Sequence, residues 1–213
     1  MNRIQEEYDW RQVTKRIILT LAFVLAYSLV ATRLVLAQNY AVLYSFTGGP
    51  NGGEPTSGLI KDPTGNLYGT TSGGGDFGNG TVFEFSTTGK ENVLHSFEGG
   101  TDGAIPVGGL VRDSAGNLYG TTTIGGAFYG TVFKLDTKGT ESVLYSFTGF
   151  ADGGRPQAGL VLDPVGLLYG TTFSGGEAGF GTVFSVDMSG HETVLHSFTA
   201  AGGSPGLHRL IGL

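Results

Sequence analysis

The chain has 213 residues, 39 of them Gly and none Cys, with a formal net charge of −6. A glycine share of about 18%, against a usual ~7%, points to collagen, low-complexity disorder or a turn-rich fold. Gly does not recur at every third position, which excludes collagen. Hydrophobic residues at 39%, with aromatics in fixed places, argue against disorder. A turn-rich, all-β protein remains, and without Cys it is held by packing alone.

The first 40 residues contain no Gly and hold the single Trp, Trp10. Arg3, Arg11, Lys15 and Arg16 outweigh Glu6, Glu7 and Asp9, and an apolar run from Ile17 to Ala31 follows. A basic start, an apolar core and a small residue near the exit predict an export signal with cleavage after Ala37. An uncleaved anchor is the alternative, since Ile17 to Ala37 is long enough to span a bilayer if Arg33 snorkels. Both readings place 1–37 as signal peptide or N-terminal membrane anchor, an apolar helix, and put the remainder outside the cytoplasm. A lipid anchor is excluded because its attachment needs Cys. From Gln38 onward seven Lys and Arg face fifteen Asp and Glu, an acidic balance that repels phosphate backbones and makes nucleic acid an unsuitable partner. Membrane contact is expected only through an uncleaved N-terminal segment.

Beyond residue 40 the chain repeats itself. "LYGTT" begins at Leu67, Leu118 and Leu168, and "GTVF" at Gly80, Gly130 and Gly181. "VL(Y/H)SF" begins at Val42, Val93, Val143 and Val194, so the period is 50 or 51 residues. Each copy breaks into four short runs rich in β-branched and aromatic residues. In the second copy these are 109–113, 117–123, 130–136 and 142–147. "DPTGN", "DSAGN" and "DPVGL" open hairpins, with Asp starting the turn and Gly supplying positive φ. Four antiparallel strands per unit predict a β-propeller-like array of about 50-residue blades. Three full repeats (58–98, 109–148, 159–199) have a lone fourth strand in front (41–46) and a lone first strand behind (206–211). Propellers typically close with about 4–8 blades, so a fragment or truncated reading frame is expected, with an open three-blade arc or a protomer that closes by oligomerising as the alternatives. Phe83/Phe85, Phe133/Leu135 and Phe184/Val186 are expected on one face of the third strands. Val132, Lys134 and Asp136 are expected on an opposite, half-exposed face, with the fourth strands buried on both faces. Gly69, Gly120 and Gly170, inside the second strands, are expected at close inter-blade contacts near the axis.

The phrase "DxxGNLYGTT…GG…GTVF…G…VLHSF" with its "DG..P..GL" continuation resembles the GloVer-type tandem repeat of exported bacterial proteins, which bear varied C-terminal sorting anchors. The resemblance runs from Val42 to about Leu213 and implies export and surface display in a propeller-like array, with no assigned activity. The closing "SPGLHRLIGL" carries no hydrophobic tail or sorting signal, a departure from the family pattern that leaves C-terminal anchoring open.

A residue that does chemistry should break the repeat. His95 and His196 share a slot with Tyr44 and Tyr145, which reads as a packed aromatic position, and no two His have metal-ligand spacing. Asp62, Asp113 and Asp163 read as turn caps. No Ser-His-Asp order and no standout carboxylate pair is legible, so no catalytic residue, metal or cofactor is assigned. The second-to-third strand loops and the inter-blade loops share one rim and vary most. Phe77, Phe128, Tyr129 and Phe180, with Asp102 and Asp152, are therefore the candidate ligand-binding residues; Phe150 and Arg155 lie on the same rim. These rings could stack on a glycan or meet a protein, or fold back over blade edges. The expected function is a non-enzymatic, secreted or cell-surface binding or scaffold module. The alternative is a propeller-based lyase or hydrolase acting on an extracellular glycan, which would need a set of polar residues unique to one or a few copies.

Overall fold

The computed structural model describes residues 14–23 and 40–199, and the chain forms two compact units, Met1–Val42 and Leu43–Leu213. In the first unit residues 14–23 are helical, and among the described residues no helix is long and apolar enough to cross a membrane. The expected cleavage position and the strand at 206–211 lie outside the described residues.

The second unit is built from three successive antiparallel sheets. Blade 1 pairs β1 (Ile60–Lys61), β2 (Leu67–Thr71), β3 (Thr81–Phe85) and β4 (Glu91–Ser96) in that order. Blade 2 repeats it with β5 (Val111–Arg112), β6 (Leu118–Thr122), β7 (Thr131–Leu135) and β8 (Glu141–Ser146). Blade 3 has β10 (Val161–Leu162), β11 (Leu168–Ser174), β12 (Thr182–Val186) and β13 (Glu192–Ser197), with β9 (Gly154–Pro156) added alongside β11. The register is the same in each blade; Gly69, Gly120 and Gly170 oppose Phe83, Phe133 and Phe184.

The hairpins fold as their turn chemistry dictates. Asp62 Oδ1 accepts the backbone N–H groups of Thr64 (2.9 Å), Gly65 (2.7 Å) and Asn66 (2.9 Å). Asp113 and Asp163 likewise accept from Asn117 (2.9 Å), and from Val165 (2.9 Å) and Leu167 (2.8 Å). The second-strand tyrosine of each blade closes the motif: the hydroxyls of Tyr68, Tyr119 and Tyr169 donate to Asp62, Asp113 and Asp163 at 3.2, 2.9 and 3.2 Å. Burial alone would raise the Asp62 carboxyl, yet the donors from Thr64, Asn66 and Gly65 hold it down at about 2.

The core lies between blades. One seam packs Val82 and Phe97 of blade 1, with Ile60, Tyr68 and Leu94, on Leu110, Leu118, Phe133 and Leu135 of blade 2. The next repeats it, Tyr119, Val132 and Phe147 against Leu160, Leu168, Phe184 and Val186. In each seam a Phe following the fourth strand meets the third-strand Phe of the next blade edge-on, at 5.2 Å for Phe97–Phe133 and 5.0 Å for Phe147–Phe184.

Three expectations are corrected by this packing. Residues 41–46 form no strand, since no strand among the described residues pairs with them; Phe46 still packs on Phe83 at 4.9 Å, as a seam Phe does. Val132 is fully buried and not half-exposed, since the third strand is sandwiched, whereas fourth-strand residues such as Val93 and Leu195 are exposed at the outer edge. Gly120 clears space within its own blade: a Cβ there would sit 2.7 Å from the Phe133 ring and 2.9 Å from Leu110, and Gly69 and Gly170 do the same beside Phe83 and Phe184.

Truncating a seam Phe leaves a cavity lined by two blades. Phe147→Ala is expected to lower unfolding free energy by about 3–5 kcal/mol in denaturant titration. Phe198→Ala, at the equivalent position of blade 3, should cost far less, because Phe198 is only half-buried whereas Phe147 is fully buried.

Candidate functional site

Antiparallel pairing sends the tight hairpins to one end of the blades and places the β2–β3, β6–β7 and β11–β12 loops, with the inter-blade connectors, at the other. The connectors lace neighbouring loops together. Ile105 N–H donates to Asn79 O (2.9 Å) in the loop of blade 1, and its carbonyl accepts from Thr123 N (3.1 Å) in blade 2. Glu54, Ile105 and Arg155, at equivalent positions of the connectors, all adopt φ near +56° (57°, 56° and 55°). Beneath the connectors lie paired threonines, Thr71–Thr81, Thr122–Thr131 and Thr172–Thr182, with hydroxyls 2.8, 2.8 and 3.0 Å apart.

The structure divides the six candidate residues into three groups. Asp102 and Asp152 turn inward. Asp152 accepts from Tyr145 Oη (3.0 Å), Thr148 N (2.7 Å) and Thr148 Oγ1 (2.6 Å). Asp102 accepts from Glu98 N (2.9 Å) and lies 3.4 Å from His95 Nε2. At the equivalent position Asn51 donates its side-chain amide to Tyr44 Oη. The slot shared by Tyr and His is thus the partner of the loop residue seven positions on, a constant spacing that the sequence displays. Tyr129 and Phe180 immediately precede the closing loop glycines Gly130 and Gly181, a position held by Asn79 before Gly80 in blade 1, and are 36% exposed. Tyr129 folds back, its ring lying where a Cβ on Gly149 would be 2.5 Å away.

Phe77 and Phe128 form the third group and face solvent. Phe128 is 84% exposed and Phe77 56%, with Phe150 at 76% on the neighbouring connector. Phe128 also breaks the repeat. Its loop is one residue shorter than "GGGDFGNG", and Phe128, with φ at +80°, stands where Gly78 and Gly179 have +78° and +81°. Two copies use glycine for this left-handed turn; the middle copy uses a bulky exposed ring, at a backbone cost of about 1–2 kcal/mol. Beside Phe77 runs an open groove of about 600 Å³ lined by Asn51, Asp76, His95 and Glu98. Exposed charges on these loops are Glu54, Asp76, Glu98 and Glu177, with Arg155 as the cation. The β9–β11 register sets Arg155 opposite Phe173.

A second titratable feature sits inside the seams and was missed from sequence, because its members come from different repeats. Tyr44 Oη donates to Glu91 Oε2 (3.3 Å), the first residue of β4. Its counterparts Glu141 and Glu192 are pushed up to about 7 by burial, with the carboxylates of Asp102 and Asp152 adding to the effect. Burial likewise lowers His95, against the pull of Asp102. Among the described residues no group of three or more His, Cys, Asp or Glu could hold a metal ion.

A family model described as the Gloeobacter/Verrucomicrobia repeat matches residues 29–212. No curated protein matches the chain. Among solved structures, the chain is similar to a luciferin-regenerating enzyme, at 19% identity and TM-score 0.45, over 65% of this chain and 44% of that one. It is similar also to a protein provisionally described as a gluconolactonase, at 18% identity and TM-score 0.41, over 64% of this chain and 45% of that one. The match thus spans less than half the length of either.

The raised seam glutamates fix a sign for pH dependence. A carboxyl lifted in the fold favours the folded state while protonated, so stability should fall as pH rises from about 4.5 to about 7 and then level off. Melting temperatures measured from pH 5 to 8 should show this decline, and the double variant Glu141→Gln, Glu192→Gln should flatten it. An unchanged slope in the double variant would assign the decline to other groups.

Proposed function

We propose that this chain, a member of the Gloeobacter/Verrucomicrobia repeat family, is an exported, non-enzymatic binding module that holds a neutral glycan on the loop end of its blades. Phe128 carries the reading. An exposed ring in a left-handed backbone, where both sister repeats keep glycine, retains a local cost that packing does not explain. A binding surface supplies the reason, since a rigid ring standing clear of its scaffold can stack on a sugar face. Four exposed carboxylates against one arginine disfavour an acidic ligand and offer acceptors for hydroxyl groups. Phe77 and its groove, lined by Asn51, Asp76 and Glu98, extend the same chemistry to the next blade. The basic and apolar N-terminal segment supports export.

A glycan array probed with purified wild type and Phe128→Gly tests the proposal. Wild type should bind neutral oligosaccharides, and the variant should lose at least tenfold in affinity while gaining about 1 kcal/mol in stability from relief of the turn. Absence of binding by wild type, or equal binding by the variant, would overturn it.

A further inference from the structure

The junction of blades 2 and 3 differs from its sister in three residues at once. Tyr129, in the β6–β7 loop, lies against the connector: a Cβ on Gly149 would be 2.5 Å from its ring, and one on Gly154 3.1 Å from its Cβ. The Tyr129 carbonyl also accepts from Arg155 N (2.7 Å). Between blades 1 and 2 the same place is taken by Asn79 against Gly99, and the residues beside that contact are Gly78 and Gly100. Between blades 2 and 3 they are Phe128 and Phe150, 84% and 76% exposed. The fold does not ask for the second ring. A Cβ at Gly100 meets no atom within 4 Å, and Gly49 stands at the same position of the connector before blade 1.

We infer that Phe128 and Phe150 are two stacking subsites of one site across this junction, and that its ligand is a chain of linked neutral sugars instead of a single ring. The inference rests on the glycan reading given above. Consecutive Cα atoms are about 3.8 Å apart, so each phenylalanine stands one peptide from the Tyr129–Gly149 contact, one on each of the two elements that meet there. The two rings are thus within the span of a few linked sugar units.

Both backbones are held in place. Phe128 precedes Tyr129, whose ring and carbonyl are engaged by the connector, and the Phe150 carbonyl accepts from Gly153 N (3.2 Å) and from Gly176 N (2.7 Å) in the blade 3 loop. Positions fixed before a ligand arrives lose little freedom on binding. Groups for sugar hydroxyls lie on the same elements: exposed Arg155 on the connector is a donor, and exposed Glu177, next to Gly176, an acceptor. Once one sugar is stacked, a later ring of the same chain meets the second phenylalanine at high effective concentration, so chain length sets affinity.

Immobilised homo-oligomers of glucose, mannose, galactose and N-acetylglucosamine, each two and six units long, probe the full-length protein. In a series that binds, wild type should favour six units over two at least tenfold. Phe150→Gly, which restores the residue of the sister repeats, should erase most of that gain. It should still bind the two-unit oligomer within twofold of wild type, which also reports that the variant is folded. Phe128→Gly should weaken both lengths. Equal affinity of wild type for the two lengths, a Phe150→Gly variant that keeps the gain, or one that loses both lengths alike would overturn the inference and leave the Phe128 site standing. No binding by wild type in any series would overturn both.

Discussion

Each sheet in this protein has two apolar faces and can bury neither by itself. Everything else follows from that constraint. The third strand lies between two blades, so Val132 and Phe133, pointing to opposite sides of one strand, are both fully buried. The aromatic contact that joins blades is made from the segment just beyond one fourth strand and the third strand of the next blade. Stability in such an array is a sum over neighbours, with the middle blade held on both sides and the end blades on one.

The polar parts of the structure serve the same seams. The slot tyrosine or histidine, the loop carboxylate seven residues later and the glutamate of the following blade meet at the outer edge of a contact that is otherwise apolar. Burial shifts the glutamates toward neutrality, and the loop aspartates are engaged by Tyr145, Thr148 and the Glu98 amide. What reaches solvent on that end is therefore a set of aromatic rings beside the carboxylates of Glu54, Asp76, Glu98 and Glu177. The scaffold takes up its own carboxylates near the seam and presents Phe77, Phe128 and Phe150 outside it.

Local features were legible in the sequence. The blade period, the four strands, the Asp-initiated hairpins and the variable end all depend on residues within a few positions of one another. Features made between repeats were not. Gly120 was assigned to an inter-blade contact because a bare glycine does not say which neighbour needs its space; cross-strand pairing with Phe133 does. Asp102 and Asp152 read as exposed ligands because a carboxylate in a glycine-rich loop looks free until its aromatic partner is found. The special status of Phe128 was half visible: its loop is a residue short, and aligned from the terminal Gly130 it falls under glycine, but only the backbone angle shows what that substitution entails.

The seams also separate two units that are easily confused. The unit that recurs along the chain is the four-stranded blade of about 50 residues, while the unit that packs is the rear of one blade with the front of the next. A change at Phe147 is therefore answered at Phe184, in a different copy, and not within its own. Drift in this gene would be constrained across repeat boundaries more tightly than inside them. Duplication or loss of a whole repeat leaves every remaining rear facing a compatible front, so the length of the array can change in one genetic event without any new interface having to evolve.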